Sequence, residues 1–166
     1  NSTEQIMAST LSLPRRIGPK PETQGRLPHS QLTQHGPDDI IDRLHAWCFS
    51  LPNINNEDSG ISVPGSRAMI VQDGIDANPQ AFMIGREFAH IHPKPDNGSM
   101  HLVLPVEDIG AVKEMGWGED HYLVTQGQWP PGLMMVFSPR DDDELNVVKQ
   151  IVARSYEFAT GQSFDR

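Results

Sequence analysis

Cysteine is nearly absent from this 166-residue chain: Cys48 stands alone, so neither an internal disulfide nor a cysteine-built zinc site can form. Basic side chains are scarce as well. Thirteen Lys and Arg face 22 Asp and Glu for a formal net charge of -9. The densest basic group, Arg15-Arg16 with Lys20 nearby, is too small to neutralise a nucleic-acid backbone. An apolar or cationic small molecule is the easier partner. No apolar run reaches the roughly eighteen residues of a membrane-spanning helix, and no signal peptide is visible, so the chain as given reads as soluble. It starts at Asn1 rather than Met, and the expectation is a truncated or processed start from which a signal or anchor was removed. Asn1-Ser2-Thr3 and Asn97-Gly98-Ser99 both match the glycosylation tripeptide. Gly-x-Gly-x-x-Gly, Walker, Gly-x-Ser-x-Gly and His-Glu-x-x-His patterns are missing, which leaves nucleotide, serine-hydrolase and zincin chemistry without local support.

What is present is sufficient for one domain with a proper core. Residues 1–36 hold four prolines and no sustained periodicity, and read as an N-terminal arm, extended or partly disordered, that Leu11, Leu13, Ile17 and Leu27 tack onto the core. Residues 37–166 form the domain. A first helix starts at Pro37-Asp38-Asp39, where proline suits the first position and the carboxylates suit the positive end of the dipole. Its stripe is Ile40, Ile41, Leu44, Trp47 and Cys48, which makes Cys48 an inert core thiol, while His45 is solvated. A polar loop to about Gly65 precedes strands at 68–72, 81–92 and 100–104; a helix at 106–115 ends at Gly116, and a short strand runs over 134–137. The last helix, of about twenty residues, has Ser138 as its cap, Pro139 at its first position and Gly161 at its exit, with Leu145, Val148, Val152, Tyr156 and Ala159 buried and Asp142 and Glu144 exposed. This order predicts an α+β fold: a mainly antiparallel sheet of about four strands packed by helices.

The chemistry concentrates in one hairpin. Strand alternation puts His90 and His92 on one face with Arg86 and Phe88, and turns Glu87, Ala89 and Ile91 to the other unless a bulge re-aims Glu87. A turn through Asp96-Asn97-Gly98 that pairs His92 with Ser99 brings His101 opposite His90, so three imidazoles share a face. Such a set has two uses. Imidazole titrates near neutrality and transfers protons in either direction, with Arg86 holding an anionic group and Ser99 as a hydrogen-bond partner at the site. Alternatively, His90, His92 and His101 ligate one zinc, iron or copper ion with positions left open. A second polar group, Gly116-Trp117-Gly118-Glu119-Asp120-His121, presents Trp117, Glu119 and His121 as a pocket wall; the alternative is a helix-to-loop exit with Trp117 plugging the core.

His90-Ile91-His92-Pro93, Gly98-Ser99-Met100-His101-Leu102, Gly116-Trp117-Gly118-Glu119-Asp120-His121, Ser138-Pro139-Arg140-Asp141 and Ser155-Tyr156-Glu157-Phe158-Ala159-Thr160-Gly161 together resemble the "luciferase domain" family of fungal and bacterial proteins, over about residues 12–161. Tyr122 stands where many relatives have proline. The resemblance implies that the His-x-His-Pro, Ser-x-His and Trp-Gly-Glu elements form one unit, and most members have no assigned reaction. The leading expectation is a small-molecule enzyme of secondary metabolism with a pocket of His90, His92, His101, His121 and Glu119 as reacting groups and Arg86, Trp117 and Ser99 as substrate contacts. It would need no cofactor and would isomerise or cyclise a natural-product-like substrate. The alternatives are a metal-dependent oxidoreductase or oxygenase using His90, His92 and His101, and a non-catalytic module that sequesters a small ligand.

Overall fold

The computed structural model describes residues 11–163; Asn1-Ser2-Thr3 lies outside them. Helix α1 (Asp38–Cys48) is followed by strands β1 (Ile54–Asp58), β2 (Arg67–Val71), β3 (Glu87–Ile91) and β4 (Met100–Val103). Then come helix α2 (Ile109–Glu114), β5 (Gly118–Asp120), the single-turn α3 (Tyr122–Thr125), β6 (Leu133–Val136) and the long α4 (Asp142–Thr160). The strands form one antiparallel sheet in the order β1-β2-β3-β4-β6-β5. The fold class is the one expected, with two more strands than the sequence pattern suggested. Both extra strands are edges. β1 reads Ile-Asn-Asn-Glu-Asp and buries only Ile54, because an edge strand gains its ladder from β2 while charged side chains guard its open side. β5 is three residues long and pairs with β6 alone, too short for a period to register.

Alternation along the central strands sorts side chains to two faces. Met100, Leu102, Met134 and Val136 enter the main core with Ile40, Ile41 and Leu44 of α1 and with Leu145, Val148, Val152 and Tyr156 of α4. His101 and Met135 face the other way. A row therefore crosses the sheet through the register pairs Ala68 with His90, His90 with His101, His101 with Met135, and Met135 with Glu119.

One irregularity decides what this row contains. In the β2–β3 ladder Met69 pairs with Ala89 but Ile70 pairs with Glu87, so β3 carries an extra residue at Phe88. Such a bulge reverses the alternation on its N-terminal side. Phe88 and Ala89 both pack into the helix-covered core, Phe88 with its ring 6.4 Å from that of Tyr156, and Glu87 returns to the face of His90. The expectation that Glu87 points away and Phe88 shares the histidine face is corrected by this one inserted residue.

The ends of α4 also differ from expectation. Asp141 is the cap, accepting from the Glu144 backbone N–H at 2.8 Å, whereas the Ser138 hydroxyl accepts from Gly36 N–H and donates to the Asn97 carbonyl, 2.8 Å each. Glu144 is buried, not exposed, because its carboxylate clasps the Arg140 guanidinium at 2.6 Å. The helix expected over 106–115 opens with a 3-10 turn that leaves Val106 exposed, and Gly116, at φ +85°, ends it as the left-handed C-terminal position requires. Trp47 and His45 are both half-buried, His45 with its ring 6.2 Å from that of Phe49.

The described part of the arm, residues 11–36, is tied down at its start by Leu11 in the core with Leu13 packed against it, and beyond that by backbone and side-chain bonds. Arg16 N–H reaches the Met115 carbonyl at 2.8 Å, Trp117 Nε1 donates to the Pro14 carbonyl at 2.6 Å, and Gln31 accepts from Ser138 N–H at 2.8 Å. Leu11 is buried, but Ile17 and Leu27 are exposed, contrary to the tacking role expected of them. Among the described residues no helix is long and apolar enough to cross a membrane.

Val148 is fully enclosed between α4 and the sheet. Val148→Ala is expected to cost about 2 kcal/mol through lost burial and the cavity left behind. Urea denaturation measures it, and an unchanged midpoint would contradict this packing.

Candidate functional site

Above the row of histidines lies an open cavity of about 1180 Å³. Its floor is His90, His92, His101 and His121, its apolar sides include Met83, Leu123, Trp129 and Leu133, and its far side is arm residues 26–32, including His29. Five imidazoles crowd together. Ring centroids are 5.0 Å apart for His90 and His92, 5.1 Å for His90 and His101, and 4.4 Å for His92 and His101. His101 and His121 are also 4.4 Å apart, and His29 stacks on His101 at 5.5 Å. All five are buried.

The hydrogen bonds behind these rings determine which nitrogen carries each proton. The Glu87 carboxylate is held below its usual range: burial opposes ionisation, but bonds from His90, Ser59 and the Gly60 N–H outweigh it. As an ionised acceptor 2.8 Å from His90 Nδ1, it fixes the proton there and leaves Nε2 as a lone pair. Ser99 Oγ donates to Asp96 Oδ2 at 2.7 Å and so must accept from His92 Nδ1 at 2.9 Å, which again bares Nε2. His101 Nδ1 lies 3.1 Å from His90 Nε2 and donates to it; its own Nε2 is buried with no partner. His90, His92 and His101 thus all have Nε2 as the acceptor atom and form an acceptor face, in which the lone pair of His90 is engaged by His101.

His121 and His29 are the reverse. His121 caps α3, its Nδ1 accepting from Leu123 N–H at 3.0 Å, and His29 Nδ1 accepts from Tyr122 N–H at 3.2 Å. In the neutral rings the proton sits on Nε2. His29 donates it in a hydrogen bond to Glu119 at 2.6 Å, while His121 keeps an Nε2–H donor. Burial, then the neighbouring His29 and His90, bring the His121 pKa to about 4. Burial and the ring neighbours push His92 and His101 well below the usual imidazole value. Glu119 is lowered to about 2: burial works against the charge, and the bonds from His29 and Lys20 override it. Burial raises Asp96 despite its bonds from Ser99 and Gln31.

The hairpin register is the one the sequence predicts, with His90 opposite His101 and His92 N–H on the Ser99 carbonyl at 2.9 Å. Gly98 permits the turn: its φ is +94°, and a Cβ there would sit 2.4 Å from Ile41 Cδ1. His121 joins the three. Glu119 stands behind them as the partner of His29, and Ser99 is wholly buried beneath His92, so neither faces the cavity. Two expected substrate contacts are elsewhere. Arg86 precedes the bulge, which swings it off the histidine face so that its guanidinium donates to the carbonyls of Val71, Gln72 and Ile75. Trp117 is buried in the core, because its indole N–H finds the arm and its ring fills the space under α2. His29 and Asp96 went unnoticed in the sequence: His29 sits in an arm with no periodic signal, and Asp96 looks like an ordinary turn residue. Cys48 is wholly buried, and burial pushes its thiol upward, as expected of a core residue.

Residues 85–155 match the luciferase domain family. The resemblance read from the sequence is thereby shown. The matched segment runs from the bulge into α4 and contains Glu87, the four floor histidines, Asp96, Ser99 and Glu119, but not His29. Among curated relatives, a luciferase of Armillaria mellea is 35% identical over 77 residues, 45% of this chain and 29% of that protein. One of Neonothopanus nambi is 36% identical over 77 residues, 45% and 28% of the two chains. A luciferase of Armillaria ostoyae is 27% identical over 165 residues, 89% of this chain and 61% of that protein. The chain thus spans less than two thirds of the length of the relatives it matches. No solved structure matches.

Because His121 has a folded pKa of about 4 against 6.5 in the open chain, its contribution to stability is complete above pH 6.5 and is lost as the pH falls toward 4. His92 and His101 act in the same direction. Below 4.5 Glu119, at about 2, adds a further loss. Thermal melts should show a plateau above about pH 7 and a continuous fall below it, with a shallower slope for His121→Asn, which retains the cap on Leu123. A melting temperature unchanged from pH 7 to pH 4.5 would contradict neutral burial of these rings.

Proposed function

We propose that the cavity is the active site of an enzyme acting on a small, largely apolar molecule, and that the histidine floor performs proton transfer on it, in an isomerisation or cyclisation. The observation that carries this reading is the hydrogen-bond pattern behind the rings, from which the division of the histidines into donors and acceptors follows. A substrate oxygen set against the His121 Nε2–H would be polarised by a neutral imidazole, the form this ring takes near neutrality because its pKa is about 4. The proton released from the adjacent carbon goes to the acceptor face. There the Ser99 hydroxyl and the Asp96 carboxylate hold the His92 ring in position from behind. With a substrate filling the space between the apolar walls, water would be displaced from the floor and each of these interactions strengthened.

The name luciferase carried by the relatives supports a second reading, oxidation of a substrate in the same pocket. The two part experimentally. Under the proton reading, turnover in deuterated water places solvent deuterium in the product with no dioxygen consumed. An oxygen electrode that records stoichiometric uptake would favour oxidation instead. Under either reading His92→Ala and His121→Asn should lower turnover at least tenfold with the fold intact by circular dichroism. Full activity in both variants would remove the cavity floor from the chemistry.

A further inference from the structure

We propose that the acceptor face is a metal site, in which His90, His92 and His101 hold one divalent transition-metal ion. This rests on the cavity being the active site and specifies what stands at its floor. One nitrogen from each of the three rings lies within 4.8 Å of one from each of the others, and each ring is buried.

The supports behind the rings are those a metal-binding imidazole uses. His90 gives its Nδ1–H directly to Glu87, and His92 gives its own to Asp96 through Ser99, so both direct a lone pair forward with the ring orientation fixed. His101 supplies the third nitrogen. Its Nδ1 is 3.1 Å from His90 Nε2, close to the separation of about 3.3 Å between two nitrogens bound tetrahedrally at 2.0–2.1 Å to one ion. Ligation by Nδ1 moves the His101 proton to Nε2, the atom left buried without a partner, so no charge is lost from the ring.

A second set, His29, His101 and His121, is as compact. It is nevertheless committed to other bonds: backbone N–H groups occupy Nδ1 of His29 and His121, and Glu119 occupies Nε2 of His29. The tautomers therefore select the first set. Three neutral imidazoles without a thiolate suit zinc, cobalt, copper or ferrous iron and not calcium or magnesium. Three protein ligands leave a coordination position open toward the cavity, where water or a substrate oxygen would bind and become more acidic. In the proton-transfer reading, the hydroxide left once that water gives a proton to solvent would take the role of the acceptor and return to water as the substrate proton arrives.

The test is titration of chelator-treated, full-length protein with cobalt(II). One equivalent should bind and give the visible absorption of a four- or five-coordinate site, and zinc(II) should displace it. His90→Ala or His92→Ala should abolish the band. Glu87→Gln, nearly isosteric and checked for folding, should weaken binding at least tenfold by removing the carboxylate that orients His90. His121→Asn should change it less than threefold. No stoichiometric cobalt in folded wild-type protein would overturn the proposal, as would loss of binding in His121→Asn with retention in His90→Ala. Turnover is read separately. Metal-free protein that binds no cobalt yet turns over substrate refutes the metal site and preserves the active-site reading, whereas stoichiometric cobalt without turnover preserves the metal site and refutes that reading.

Discussion

The contact on which the rest depends is the buried pair formed by Glu87 and His90. A carboxylate enclosed under a sheet is expensive unless its oxygens are occupied. Here Oε2 is 2.8 Å from His90 Nδ1 and 2.7 Å from Ser59 Oγ, and Oε1 accepts from Gly60 N–H at 3.0 Å. The pair does more than satisfy a charge. It fixes the tautomer of His90, His90 fixes that of His101, and the order extends across the cavity floor.

That pair exists because β3 is bulged. One additional residue lets the strand serve two masters: Phe88, Ala89 and Ile91 seal the helix-covered core, and Glu87, His90 and His92 remain together on the opposite face. A regular strand would have separated Glu87 from His90 by alternation and left His90 without a carboxylate. The arm then completes the polar face. His29 and Gln31 descend on the sheet from the arm, Gln31 N–H meeting Asp96 Oδ2 at 3.0 Å and His29 meeting Glu119 at 2.6 Å, so a segment with almost no core of its own is held by polar groups. The dense apolar packing lies behind the sheet and the chemistry in front, which lets the front vary without disturbing the core.

The parts of this arrangement that could be read in advance are those governed by local rules. The His90–His101 register follows from a turn containing Asn97-Gly98 and from strand alternation. The α4 stripe follows from helical period, with Gly161 at φ +71° ending the helix. What could not be read depends on tertiary partners. The bulge that re-aims Glu87 and removes Arg86 has no signature in a strand of ordinary composition. Ser138 looks like a cap, but Gly36 and Asn97 claim its hydroxyl, so Asp141 takes the role. Edge strands β1 and β5 lack apolar periodicity because they are paired on one side only. His29 reaches the site through a segment whose order comes from contacts far along the chain.

The central claim is that the buried histidines are divided by tautomer into an acceptor face and a donor face. Long-range nitrogen–proton NMR correlation of the histidine rings, on metal-free protein labelled with nitrogen-15 and held near neutral pH, observes this directly. The account predicts the Nδ1–H form for His90, His92 and His101 and the Nε2–H form for His29 and His121. Nε2–H tautomers at His90 and His92, or imidazolium at His121, would contradict it.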